Sequence, residues 1–164
     1  MQLARILEDW ILDELCHPDG FVNGNALCPF ARNAWLGEKV KTLEVEGDLW
    51  NAVYEEMRAF DDTYQVVVCG NYGDKYTYDD LEAGCFALNG WLAATGVDIW
   101  LLSFKDKGLN MIFVQRLTDL DNASAKLERL DYYVNYDPDD YQRLVETRKQ
   151  RRLEYAGNEK EAHA

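Results

Sequence analysis

Residues 97–116 read Val-Asp-Ile-Trp-Leu-Leu-Ser-Phe-Lys-Asp-Lys-Gly-Leu-Asn-Met-Ile-Phe-Val-Gln-Arg. Two apolar runs, Val97–Phe104 and Leu109–Arg116, flank Lys105-Asp106-Lys107-Gly108, which is the pattern of a β-hairpin with a four-residue loop. A third run, Tyr64-Gln-Val-Val-Val-Cys69, is short, β-branched and bounded by turn residues, as buried strands are. Between it and the hairpin, Leu81, Cys85, Leu88 and Leu92 share one helix face. Thr77 and Asp80 resemble a capping box at the start of that helix, and Gly96 supplies the left-handed residue expected at its end.

Upstream, residues 39–46 alternate in the manner of a strand. Asp48 is a natural N-cap for a helix carrying Leu49, Ala52, Val53, Met57 and Phe60 to about residue 60. Leu3, Ile6, Leu7, Trp10, Ile11 and Leu15 recur at helical spacing, so the chain opens on an amphipathic helix of about four turns. Pro18, Gly20 and Gly24 end it and begin a loop. Beyond the hairpin, Leu120, Ala123, Leu127 and Leu130 favour a short helix. Asp137-Pro138 then gives an N-cap with Pro at the first helical position of a last helix reaching about Tyr155.

The predicted order is a helix, then β-α-β-α-β-β, then two helices. The fold class is α/β, with α+β as the alternative, built on a four-stranded mixed sheet. Both strand-helix-strand crossings are expected to be right-handed and parallel, with the hairpin adding one antiparallel edge strand. Tyr64–Cys69 and Val97–Phe104 are too apolar to face water, so helices are expected to cover the sheet. Residues 1–156 read as a single domain and residues 157–164 as a frayed tail.

Composition narrows the function classes. The chain of 164 residues is 48% hydrophobic and 13% aromatic, which is globular rather than disordered. Its net charge is −13. Before Asp137 stand 23 acids and 11 bases, a balance of −12, whereas the C-terminal helix is nearly neutral, with Arg148, Lys149, Arg151 and Arg152 grouped together. A body of this sign repels phosphate backbones, so no direct nucleic-acid binding is expected. Good solubility accounts for the charge, and an acidic face for a basic partner protein is the sharper reading. The opening residues show no basic stretch followed by an apolar run, so no signal peptide is expected, and no run is long enough to span a bilayer. The expected location is cytoplasmic.

Four cysteines stand at 16, 28, 69 and 85. None forms a Cys-x-x-Cys pair, and with only His17 and His163 a His-rich metal site is excluded. Neither a metal nor an organic cofactor is implied by any residue pattern.

The most distinctive string is Asn25-Ala-Leu-Cys-Pro-Phe-Ala-Arg32, in the loop after the first helix. Pro29 forces Cys28 away from helical angles, and its own fixed φ suits the start of a short helix. Cys28 is then placed near a helix N-cap, where partial positive charge lowers a thiol pKa, with Arg32 one turn on to hold an anionic group. His17 is a candidate base to that thiol. The competing reading is a small buried thiol packed beside Leu27 and Phe30, with His17 merely complementing the dipole of the first helix. Cys28 and His17 are thus the candidate catalytic residues, and Asn25 and Arg32 candidate ligand contacts. Gly70-Asn71-Tyr72-Gly73 follows a strand and precedes a helix, where phosphate loops sit, but lacks both nucleotide fingerprints. It reads as a turn, with Asn71 a candidate pocket wall. Asp79, Asp80 and Glu82 are acids of a first helical turn rather than a cation site. Tyr132, Tyr133, Tyr136 and Tyr141 form an aromatic cluster that packing of the last helix explains.

The Leu-Cys-Pro-Phe-Ala segment, preceded by an amphipathic Trp-containing helix, resembles a bacterial family of small proteins of unassigned activity that carry this motif soon after their first helix. Ser103-Phe104, at the end of an apolar strand, is similar to a Ser-Phe of that family, which adds Ser103 to the candidate ligand contacts. The likeness in element order would run from Leu3 to roughly Tyr155. The chain departs from the family at Asn122–Arg129, which has Asn and Arg but no Pro or His where a segment rich in all four is expected. The resemblance implies a fold and a site location, not a reaction.

Two functions follow as expectations. One is a small-molecule-binding protein or thiol-dependent enzyme with its site around Cys28 and Arg32. The alternative is a non-enzymatic accessory or inhibitor protein whose acids engage a basic partner in imitation of nucleic acid. Weak homo-oligomer formation is compatible with both.

Overall fold

A computed structural model describes residues 2–15 and 31–162. Helix α1, Gln2–Asp9, continues through Trp10–Leu15 in π-helical geometry, and α2 spans Ala31–Leu36. Strand β1 (Val40–Glu44), helix α3 (Leu49–Ala59), strand β2 (Val66–Tyr72) and helix α4 (Tyr78–Ala94) follow. The hairpin is β3 (Trp100–Asp106) and β4 (Leu109–Gln115). Helices α5 (Leu117–Glu128) and α6 (Pro138–Tyr141) precede a π-helical turn, Gln142–Glu146, and α7 (Thr147–Ala162). The fold is α/β around a four-stranded mixed sheet, as the sequence pattern predicts.

Local chemistry fixes the helix starts. Asp48 accepts from Asn51 N–H at 3.1 Å, Thr77 and Asp80 form a reciprocal capping box, and Asp137 caps Asp139 and Asp140. Helix α5 has no cap of its own. Asp98, just before β3, supplies one by accepting from Thr118 N–H at 2.9 Å and Thr118 Oγ1 at 2.7 Å.

The strand order is β1-β2-β4-β3. β1 and β2 are parallel, and β4 lies antiparallel between β2 and β3. The antiparallel strand expected at the edge is therefore interior, and β3 takes the edge instead. The residues explain this exchange. β4 is buried at Leu109, Asn110, Met111, Ile112 and Val114, whereas β3 is only half-buried from Leu102 to Lys105. The strand with more to bury takes the place flanked on both sides. The hairpin loop is also tighter than expected. Lys105 and Asp106 pair with Asn110 and Leu109, leaving Lys107-Gly108 as a two-residue turn with φ of 45° and 81°. Positive φ at both positions is the type I′ requirement, which Gly108 meets without strain.

β2 reaches Tyr72, so Asn71 is a strand residue paired with Asn110 rather than part of a turn. Helix α7 runs on through residues 157–162, expected as a frayed tail, and Asn158 Nδ2 anchors this stretch by donating to Ala93 C=O at 3.1 Å.

One sheet face carries Val67, Cys69, Ile112, Val114 and Leu101 against Leu49 and Val53 of α3 and Leu81, Cys85 and Leu92 of α4. The opposite face receives Leu3, Leu7 and Ile11 against Val68, Leu109 and Met111. Fully burying a leucine contributes about 2 kcal/mol, so the Leu3–Leu7 pair is a large share of what holds α1 down. Gly70 makes that seat possible. A Cβ there would stand 2.9 Å from both Leu3 methyls.

Candidate functional site

Because β3 is an edge strand, its outer side is closed by helices rather than by another strand, and the closure is incomplete. A groove of about 1150 Å³ runs along it. On one sheet face its wall is Trp10, Phe104 and Phe113, an aromatic set with ring centroids 4.9 to 6.2 Å apart. On the other side it reaches Phe86 and Asn89 of α4, and it extends between α5 and the segment leading into α7. Both π-helical turns border it, through Trp10 and Ile11 and through Arg143, Leu144 and Val145.

Several of the groove's polar groups have defined partners. Asn89, buried, donates from Nδ2 to Leu101 C=O at 2.9 Å and accepts from Leu101 N–H at 2.8 Å. Ser103 and Cys85 both border the groove. Ser124 Oγ and Tyr133 Oη are 2.9 Å apart, and Tyr133 stacks edge-on against Tyr132, Tyr136 and Tyr141. Arg143 bridges the start of α4 to α6 through Glu82 and Asp140. Trp100 and Arg148 are also buried, each only 5% exposed. Trp100 Nε1 and Arg148 Nε and Nη2 are buried without a hydrogen-bond partner among the described residues.

The electrostatics of the groove depart from those of the chain. Arg116, Lys126, Arg143 and Arg148 line it against three acids, in a protein of net charge −13. Burial pushes the thiol of Cys85 up to about 12, outweighing the lowering influence of the nearby Ser103 hydroxyl, and burial likewise pushes Cys69 up to about 12. Both are free thiols kept neutral at physiological pH, which suits packing rather than nucleophilic attack. Elsewhere the acids are interleaved with bases: Lys41 with Glu56 at 2.7 Å, Lys75 with Asp48 at 3.1 Å, and Arg151 with Glu154 at 2.7 Å.

The residues singled out in the sequence are not brought together. Cys28, His17 and Asn25 lie outside the described residues. Arg32 is exposed on α2, and its neighbours Ala31 and Ala34 line the groove in its stead. Asn71 serves a structural network. Its Oδ1 accepts from Asn110 Nδ2 at 3.1 Å, and Asn110 Oδ1 accepts from Lys105 Nζ at 3.0 Å. Ser103 alone of the described candidates borders the groove. Sequence reasoning missed Asn89, Trp100 and Arg148. The signal for Arg148 was the basic group at 148–152, out of keeping with an acidic chain, whereas nothing local marks Asn89 or Trp100 as more than core.

Among the described residues, no group of His, Cys, Asp and Glu could hold a metal ion, and no helix is long and apolar enough to cross a membrane. Comparison with family models, curated proteins and solved structures returns no significant match.

Proposed function

We propose that this protein binds a small molecule in the groove along the outer edge of β3. The observation that carries this reading is the groove itself. A concave site of about 1150 Å³, walled on one face by Trp10, Phe104 and Phe113 and lined elsewhere by polar and charged side chains, has the scale of a ligand site rather than of a packing defect. Packed interiors hold few voids larger than a water molecule. The two π-helical turns at its rim support the same reading, since such turns occur frequently at functional positions.

The test is titration of the native protein with the neutral fluorophore N-phenyl-1-naphthylamine. Saturable, one-to-one enhancement that Phe104→Ala weakens is expected. Absence of enhancement in the folded protein rejects the reading. A thiol-dependent form, with Cys28 as nucleophile, carries a separate test. In the native protein Cys28 is then alkylated faster than Cys69 or Cys85, and resistance to labelling rejects that form alone.

A further inference from the structure

We infer that the ligand of this groove is an amphipathic anion, its oxyanion seated on the free edge of Arg148 and on Trp100 Nε1. The inference rests on the groove being a ligand site and adds the chemical class of what fills it.

Every unpaired buried atom in this part of the molecule is a donor. Arg148 Nη1 donates to Leu144 C=O at 3.1 Å, but Nε and Nη2 have no hydrogen-bond partner among the described residues. Those two nitrogens form the side-on edge of the guanidinium, the fork that donates to two oxygens of one carboxylate, sulfonate or phosphate. Asp121 Oδ1 stands 3.5 Å from Nε, near enough to attract but not to satisfy it. Trp100 belongs to the same locality. It packs in one cluster with Leu117, Leu120 and Tyr155, and Asp121 follows Leu120 directly. One turn along α7 from Arg148, Arg152 holds a further buried, unpaired Nη1, with its guanidinium 5.2 Å from the Tyr155 ring centroid.

Leaving a buried donor unpaired costs about 1–3 kcal/mol, and more when it is charged. A guanidinium keeps its charge on burial, so this cost is not relieved by losing a proton. The carboxylate of Asp121, 3.5 Å from Arg148 Nε, leaves both Nε and Nη2 without a hydrogen bond, so the buried charge is not matched at its fork. A neutral acceptor would satisfy the hydrogen bonds but not the charge, whereas an oxyanion satisfies both. The apolar body of the ligand then follows from Leu102, Phe104 and Phe113, which give one stretch of the wall an apolar surface.

The experiment compares two dyes sharing one aromatic body, neutral N-phenyl-1-naphthylamine and anionic 8-anilino-1-naphthalenesulfonate, on the full chain and three variants. The native protein is expected to bind the sulfonate about tenfold more tightly, the value of a hydrogen bond to a charged group. Arg148→Gln should abolish that preference, read as the ratio of the two dyes' affinities measured on the same variant. Arg148→Lys keeps the charge without the fork, and Trp100→Phe keeps the ring bulk without the N–H. Each should reduce the preference in part, and they carry the test if Arg148→Gln does not fold. Equal affinity for the two dyes, or a preference that both milder variants leave intact, overturns the anion site while the groove stands. Failure of both dyes to bind removes the groove reading and this inference together.

Discussion

The side chain of Asn89 on α4 pairs with Leu101 on β3 as a neighbouring strand would, accepting from its N–H at 2.8 Å and donating to its C=O at 2.9 Å. In an antiparallel pair the two backbone groups of a residue point to the same side and alternate along the strand. Leu101 therefore turns its groups away from β4, and one amide from α4 finishes the sheet at that point. An exposed edge is a template for unwanted pairing, and this contact covers part of it.

Asn89→Ala removes both partners from two buried backbone groups. The expected destabilisation is about 2–4 kcal/mol, being two unsatisfied groups at the usual cost. Denaturant unfolding measures it as a lowered midpoint with an unchanged slope. A shift equivalent to less than a tenth of that would mean that water or a neighbour replaces the amide freely.

The hairpin yields a stabilising substitution. Lys107 holds φ of 45°, a left-handed conformation that costs a residue with a Cβ about 1–2 kcal/mol and that Asn tolerates better. Lys107→Asn creates Asn-Gly, the preferred type I′ pair, and is expected to stabilise the fold by about 0.5–1 kcal/mol. Thermal unfolding reads this directly as a raised midpoint. A lowered one would show that the lysine contributes something beyond the turn.

How much of this was legible beforehand depended on the range of the interaction. Helix starts at Asp48, Thr77 and Asp137 are settled within four residues of sequence, and all three caps form as their spacing suggests. The strands were legible as β-branched runs, but their spatial order was not. That order turns on which member of the hairpin buries more, a comparison made only when α1 and α4 arrive from opposite faces. The candidate site was least legible of all. Asn89 lies on a helix face between Cys85 and Leu92 and looks like an interruption of the core, and Asn110 looks like a flaw in a strand. Each is explained only by a partner on another element, Leu101 for one and Lys105 and Asn71 for the other.

The two buried thiols give a labelling experiment with a defined pH limb. Cys69 and Cys85 are held near 12 by burial, so the native state retains their protons where the unfolded chain, titrating near 9, has lost them. Their contribution is present in full below pH 9 and is lost as pH rises from 9 toward 12. At pH 8 both should react with iodoacetamide only through the unfolded state, and denaturant should accelerate labelling in step with the unfolded fraction. Modification of either within minutes under native conditions would contradict the packing described for the face shared by α3 and α4.

Glu128, Tyr141 and Lys149 tie α5 to the last helical segments and impose an acid limit on stability. Tyr141 Oη donates to Glu128 Oε1 at 2.8 Å, and Lys149 Nζ donates to the same oxygen. Burial alone would raise the Glu128 carboxyl, but the bonds from Lys149 and Tyr141 outweigh it and hold it below its usual value of 4.5. A depressed folded-state value means that the stabilisation is complete above the unfolded carboxyl's titration and disappears as pH falls through the folded one. Glu128→Gln keeps an acceptor for Tyr141 and removes the charge that Lys149 needs. The variant should be about 1–2 kcal/mol less stable at pH 7, the range for a half-buried charged hydrogen bond. The difference from the native protein should shrink steadily below pH 4.5 and vanish once the native carboxyl is itself protonated. If the difference is constant from pH 7 to pH 3, the glutamate acts through its shape and its bond to Tyr141, and the charge contributes nothing to holding α5 against α7.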